Sequence, residues 1–163
     1  MSAPASPLEH ELHPSVRPRM PLPFRPLQVL LVEDDDDHAD LTAFALEAHD
    51  ARHQAVRARD GAEALDILFQ RGDHRAAARP DLVLLDLNLP RVGGLEVLAT
   101  LKDDDALRQI PVVVLTTSDD AGDRARAYHH HANSYLVKPT DFIAFEALVR
   151  QFGEYWGRWN HFA

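Results

Sequence analysis

Cysteine is absent from all 163 residues, which excludes disulfides and thiolate metal sites and leaves a reducing compartment acceptable. No apolar run approaches the roughly 18 residues of a membrane span. The N-terminus also lacks the continuous apolar stretch of a secretory signal, so a cytoplasmic protein without membrane partners is the expectation. Basic residues are outnumbered, 17 Lys and Arg against 26 Asp and Glu, and the resulting net charge of −9 argues against nucleic-acid binding. No glycine-rich GxGxxG loop follows the first apolar run, so a dinucleotide fold has little support; Gly93-Gly94 reads as a turn and helix entry.

What is present is organised. Seven of the eleven prolines fall in residues 1–26, from Pro4 to Pro26, and a segment so poor in backbone donors reads as a mobile tail. From Leu27 onward short apolar runs alternate with helical spacing. Leu27–Val32, Leu82–Leu85, Val112–Leu115 and Tyr135–Val137 look like strands covered on both faces, with a weaker candidate at His53–Arg57. Between them, Leu41, Phe44, Ala45 and Ala48 recur at helical intervals. So do Ala64, Leu65 and Leu68; Leu95, Leu98 and Leu101; and Phe142, Phe145 and Val149, while Asp119–His130 is weakly amphipathic. Five strand–helix units imply an α/β fold, a doubly wound and mostly parallel sheet over residues 27–152. The extension 153–163 carries Tyr155, Trp156, Trp159 and Phe162. With Phe145, these aromatics suit either a cover for a second subunit or kinase, or a fold back onto their own domain.

Doubly wound sheets bind ligands beyond the C-terminal ends of their strands. Glu33 and Asp34 end the first strand, Asp86 the third, Thr116 the fourth and Lys138 the fifth, so residues far apart in sequence should converge on one rim. Glu33 to Asp37 form an unbroken acidic run, whose mutual repulsion calls for a cation or solvent. Hard oxygen ligands without His or Cys suit Mg²⁺ or Mn²⁺. Lys138 offers a compact positive charge and Thr116 a hydroxyl donor, suited to phosphoryl oxygens. Asp86 is then the candidate nucleophile, forming an acyl phosphate. Thr116 also sits before Thr117, Ser118 and Asp119, any of which can cap the next helix. His129, His130 and His131 are adjacent and point about 100° apart on a helix, so they read as solvated or partner-facing residues.

Val32-Glu33-Asp34, Asp86 followed by Pro90 and Gly94, Thr116, and Lys138-Pro139 occur in that order, and with them the chain resembles the receiver domains of two-component response regulators over residues 27–152. The stretches Leu84–Arg91, Val114–Ser118 and Ala132–Tyr135, with Tyr155-Trp156, are most similar to single-domain regulators paired with cyanobacterial and bacterial phytochrome kinases. The resemblance implies strand order 2-1-3-4-5, phosphorylation of Asp86, and Mg²⁺ held by Glu33, Asp34, Asp86 and the Asn88 carbonyl. It also implies phosphoryl contacts from Thr116 and Lys138, a switch pairing Thr116 with Tyr135, and a cis bond before Pro139. The implied partners are a sensor histidine kinase of the phytochrome type, a second copy of the chain, and possible relay to a histidine phosphotransfer protein. Enzymatic action would be limited to assisting its own phosphorylation and hydrolysis, with output by protein contact.

Two positions depart from the family pattern. Asp35 stands where Asn is frequent, adding charge near the metal, and His131 stands where many receivers have Gly, which disfavours a left-handed cap there. Two other readings remain: a phosphate-independent adaptor, and an aspartyl-phosphate phosphatase. The latter usually needs a second carboxylate two residues after the nucleophile, where this chain has Asn88.

Overall fold

In the computed structural model, which describes residues 24–163, the elements alternate as the apolar periodicity requires. The strands are β1 (Gln28–Val32), β2 (Gln54–Ala58), β3 (Leu82–Leu85), β4 (Val112–Thr116) and β5 (Ser134–Val137). The main helices are α1 (Asp36–His49), α2 (Gly61–Leu68), α3 (Gly94–Asp103), α4 (Ala121–His129) and α5 (Phe142–Glu154). Every strand pairing is parallel, and the order is β2-β1-β3-β4-β5, as the resemblance implies.

Because side chains alternate across a strand, the central strands feed two cores. Leu30, Val32, Val83, Leu85, Val112 and Val114 meet α2, α3 and α4 on one face. Val29, Leu31, Leu82, Leu84, Val113 and Leu115 meet α1 and α5 on the other. This double burial is why β1, β3 and β4 are almost wholly apolar. β2 and β5 lie at the sheet edges and are more exposed, which accounts for their weaker sequence signal.

Two helix faces differ from the periodic reading. α1 buries Ala39, Thr42, Ala45 and Leu46, leaving Phe44 58% exposed. α5 buries Phe145, Val149 and Phe152, leaving Phe142 exposed. Phe44 stands one residue off the buried stripe of α1, whereas Phe142 keeps the spacing of the α5 stripe but is the first residue of its helix, where it is uncovered.

The aromatics grouped at the C-terminal end divide into buried and exposed ones. Phe145 and Trp156, grouped with Tyr155 and Trp159 as a candidate interface, are core residues, so neither is free to cover a partner. After α5 the chain makes one wider turn, Tyr155–Trp159, closed by the Asn160 N–H donating to the Tyr155 carbonyl. This turn carries Trp156 inward against Phe152 and Phe162. Tyr155 and Trp159 stay exposed.

The expected tail, 1–26, meets the folded domain at its last residues. Residues 1–23 of it lie outside the described residues, whereas Phe24 and Arg25 are fastened to the domain. The Arg25 N–H donates to the Gly157 carbonyl at 2.8 Å, and its guanidinium pairs with Asp81 at 2.6 Å. The Phe24 ring packs on those of His49 and His53.

These histidines form the floor of the sheet, at the N-terminal ends of the strands. The Leu27 N–H donates to His53 Nδ1 at 3.0 Å, so that nitrogen carries no proton. His53 Nε2–H then faces His49 Nδ1 at 3.1 Å, and His49 Nε2–H faces the Glu154 carboxylate at 3.3 Å. Burial, reinforced by neighbouring His49, pushes the His53 pKa down.

At the end of α4, His131 takes φ +65°. Its N–H reaches the Tyr128 carbonyl and the Ala132 N–H reaches that of Ala127, the two bonds of a Schellman cap. The family glycine is therefore dispensable here: the cap's hydrogen bonds offset a left-handed penalty of about 1–2 kcal/mol.

Candidate functional site: an acidic rim with one buried lysine

The C-terminal ends of β1, β3 and β5 bring their last polar residues together. Backbone bonds continue the sheet one step past the strands: Glu33 N–H to the Ala58 carbonyl, Asp86 N–H to Val32, and Lys138 N–H to Thr116. Each site residue is thus held by a neighbouring strand before its side chain does anything.

Glu33, Asp86 and Lys138 are nearly inaccessible, at 2%, 6% and 6% exposure, while Asp34 stands at the surface. Lys138 Nζ donates to Asp86 Oδ2 at 3.0 Å and to Glu33 Oε2. The other Asp86 oxygen accepts a long 3.3 Å bond from the Asn88 N–H, and Glu33 Oε1 accepts from the Asp35 N–H at 3.1 Å. Burial raises the Glu33 pKa, an effect that the Lys138 ammonium opposes. Two buried carboxylates share one buried cation, and a third stands beside them.

One oxygen from each of Glu33, Asp34 and Asp86 lies within 4.8 Å of the others. Three hard carboxylates with neither His nor Cys fit Mg²⁺ or Mn²⁺, which take oxygen ligands and tolerate remaining water. Three of the ligands named from sequence, Glu33, Asp34 and Asp86, are thus brought together.

The rest of the acidic run has local employment. Asp35 caps α1 by accepting the His38 N–H at 2.9 Å, and this bond pulls its pKa down. Its carboxylate is committed to the helix as a cap and stays charged within electrostatic reach of Lys138. Asp36 and Asp37 occupy the first turn, where the helix dipole favours anions. Arg57 on β2 clips the loop, reaching the carbonyls of Glu33 and Asp34 at 2.9 and 3.0 Å and the Asp36 carboxylate at 2.6 Å. Sequence reasoning missed Arg57; a lone Arg in an otherwise uncharged strand, opposite an acidic run, is the signal that was available.

Thr116 is fully buried at the end of β4, and its Oγ1 accepts from the Ser118 N–H at 3.3 Å. It does not cap α4, nor do Thr117, Ser118 or Asp119; Asp120 does, accepting from the Asp123 N–H at 2.9 Å. The Tyr135 hydroxyl donates to the Ser118 carbonyl at 2.9 Å, tying β5 to the loop that follows Thr116. The bond preceding Pro139 is trans, contrary to the cis expectation. Trans is the lower-energy form of an X–Pro bond by about 0.5–1 kcal/mol, and Lys138 reaches both carboxylates with it.

Gly94 protects this geometry from behind. A Cβ there would stand 2.2 Å from the Asp86 carbonyl oxygen and 2.6 Å from Leu87 Cα, so only glycine lets α3 begin this close to the Asp86 backbone.

Known proteins share both the sequence and the site-bearing fold. The family described as response regulator receiver domain matches residues 29–150. The probable methanogenesis regulatory protein FilR2 of Methanothrix harundinacea is 46% identical over 136 residues, covering 83% of this chain and 86% of that protein. The crystal structure of the phosphorylated cyanobacterial phytochrome response regulator RcpA is 41% identical. It superposes with a TM-score of 0.78 over 80% of this chain and 94% of that one. The Mn²⁺-bound form of response regulator Rcp1, a protein of Synechocystis, is 36% identical with a TM-score of 0.79, over 83% and 99%. With the family sequence, its strand order and its acidic rim all present, this chain belongs to the response regulator receiver domains.

Proposed function

We propose that Asp86 is the phosphoacceptor of a two-component pathway. The observation that carries this is the company it keeps. Its Oδ2 lies 3.0 Å from Lys138 Nζ, and its carboxylate is grouped with those of Glu33 and Asp34 at the strand ends. Asp86 attacks phosphorus in a phosphohistidine; a P–O bond forms, the P–N bond breaks, and the imidazole leaves with its electron pair and takes a proton. Lys138 and Thr116 hold the phosphoryl oxygens. Glu33, Asp34, Asp86 and the Asn88 carbonyl would hold Mg²⁺ or Mn²⁺, which when bound neutralises charge on the moving group. The chain assists its own phosphorylation and its later hydrolysis in this way.

Tyr135 is the reporter of the phosphorylated state. Its hydroxyl is anchored on the loop directly after Thr116, so any movement of Thr116 toward a phosphoryl group bears on that hydrogen bond. Output is by protein contact. The similarity to RcpA and Rcp1 supports a phytochrome-type histidine kinase as donor. A histidine phosphotransfer protein is a further candidate recipient. Exposed Tyr155 and Trp159 are candidate contacts of a homodimer.

Intact-protein mass after exposure to acetyl phosphate tests the core of this reading. A Mg²⁺-dependent gain of one phosphoryl group that disappears in Asp86→Asn is expected. No gain in a folded native chain would overturn it and favour the phosphate-independent adaptor. Light-dependent transfer from a purified bacteriophytochrome kinase tests the donor.

A further inference from the structure

Lys138 makes a third contact that the receiver chemistry does not call on. His38, in the first turn of α1 and 100 residues away in sequence, places Nδ1 3.2 Å from Lys138 Nζ. An ammonium can only donate, so Nδ1 is the acceptor and the neutral ring carries its proton on Nε2. The three N–H bonds of Lys138 are thereby matched one to one with Glu33 Oε2, Asp86 Oδ2 and His38 Nδ1. With its side chain only 3% exposed, the ammonium has little access to water as a substitute.

His38 is itself fixed at two points. Its N–H bonds to Asp35 Oδ1 at 2.9 Å, and its carbonyl accepts from the Oγ1 of Thr42, a fully buried residue, at 2.8 Å. The ring therefore approaches Lys138 from a pinned helix start. It also differs in kind from the other two acceptors. Glu33 and Asp86 are anions that a divalent cation or a phosphoryl group recruits, whereas a neutral imidazole is not needed by either.

We propose that His38 is a positioning residue that orients the Lys138 ammonium for phosphoryl transfer. It holds one N–H from the α1 side while the other two exchange a carboxylate oxygen for a phosphoryl oxygen. The proposal rests on Asp86 being the phosphoacceptor. It predicts that an acceptor at this point matters more than an imidazole as such.

The chain has only two lysines, Lys102 and Lys138, so ¹⁵N-lysine labelling gives two ammonium signals, separable with Lys102→Arg. The native protein, His38→Ala and His38→Asn are compared, because an Asn Oδ1 falls close to where the imidazole Nδ1 was. In saturating Mg²⁺, His38→Ala is expected to slow phosphorylation by acetyl phosphate by about five- to tenfold, the scale of one hydrogen bond. His38→Asn should return to within about twofold. The Lys138 ammonium resonance should survive in native protein and His38→Asn and be lost to solvent exchange in His38→Ala. Equal rates and equal resonances in all three would overturn the proposal. So would an Asn variant as slow as Ala with both folded, since that marks the ring as packing alone. If native protein accepts no phosphoryl group, the receiver reading fails, and the resonance alone decides whether His38 orients Lys138.

Discussion

The two ends of the sheet bury polar side chains by opposite means. On the floor, each donor has its acceptor. The Leu27 N–H, His53, His49 and Glu154 form a chain whose ring members can stay neutral. On the rim, two buried carboxylates share a single ammonium and a surface one stands beside them. A closed polar chain holds a fold; an unbalanced one has work left for a cation or an anion. The contrast tells structure from function here better than burial does, for His53 and Glu33 are equally inaccessible.

The largest effect should come from upsetting the rim. Lys138→Met leaves Glu33 and Asp86 buried without their cation and should cost about 3 kcal/mol in metal-free protein, read from urea unfolding. Mg²⁺ should narrow the gap to native, because the two carboxylates freed of their ammonium bind it more tightly in the variant and binding stabilises the folded form. An equal gap with and without Mg²⁺ would erase the distinction between the two ends.

His53→Ala tests the floor. It leaves the Leu27 N–H and His49 Nδ1 without partners, for a loss of about 1–3 kcal/mol. Mg²⁺ affinity should be unchanged; a fall would couple the ends. A milder test uses pH. The folded-state His53 pKa is depressed, so the unfolded chain binds the proton more readily. Its contribution is complete above the ordinary histidine value of about 6.5 and is lost as pH falls through the lower folded value. His49, Asp50 and Arg52 face the same ring, so the acid-side slope should shrink, not vanish, in His53→Ala. The smallest effect runs the other way: His131→Gly removes a left-handed side chain and should stabilise by about 0.5–1 kcal/mol, with the rim untouched.

The rim was legible in sequence because its chemistry is written in residue types rare at strand ends, and a topological rule brings strand ends together. Glu33, Asp34, Asp86, Thr116 and Lys138 all stand where that rule puts them. The floor was not legible. His53 appears only as the start of a weak strand, and its partner nitrogens come from α1 and the backbone of β1, which no spacing announces. His38 escaped for a related reason, since its value depends on an ammonium 100 residues distant. Aromatic size misled more than it helped. Phe44 and Phe142 seemed inward and are exposed, while Phe145 and Trp156 seemed available for a partner and are core. Hydrophobicity reports that a side chain is covered somewhere, not which surface covers it.

The hydrogen bond from Arg25 to Gly157 sets the entrance and exit of the folded unit side by side, and a Cβ on Gly157 would already touch the Phe24 ring at 2.7 Å. Both lie at the end of the molecule away from Asp86. A unit with adjoining ends can be spliced into a loop of another protein, or cut open elsewhere and rejoined here by a short bridge, without stretching its sheet. The acidic rim would still face outward from such a chimera, which makes this receiver a plug-in module by geometry.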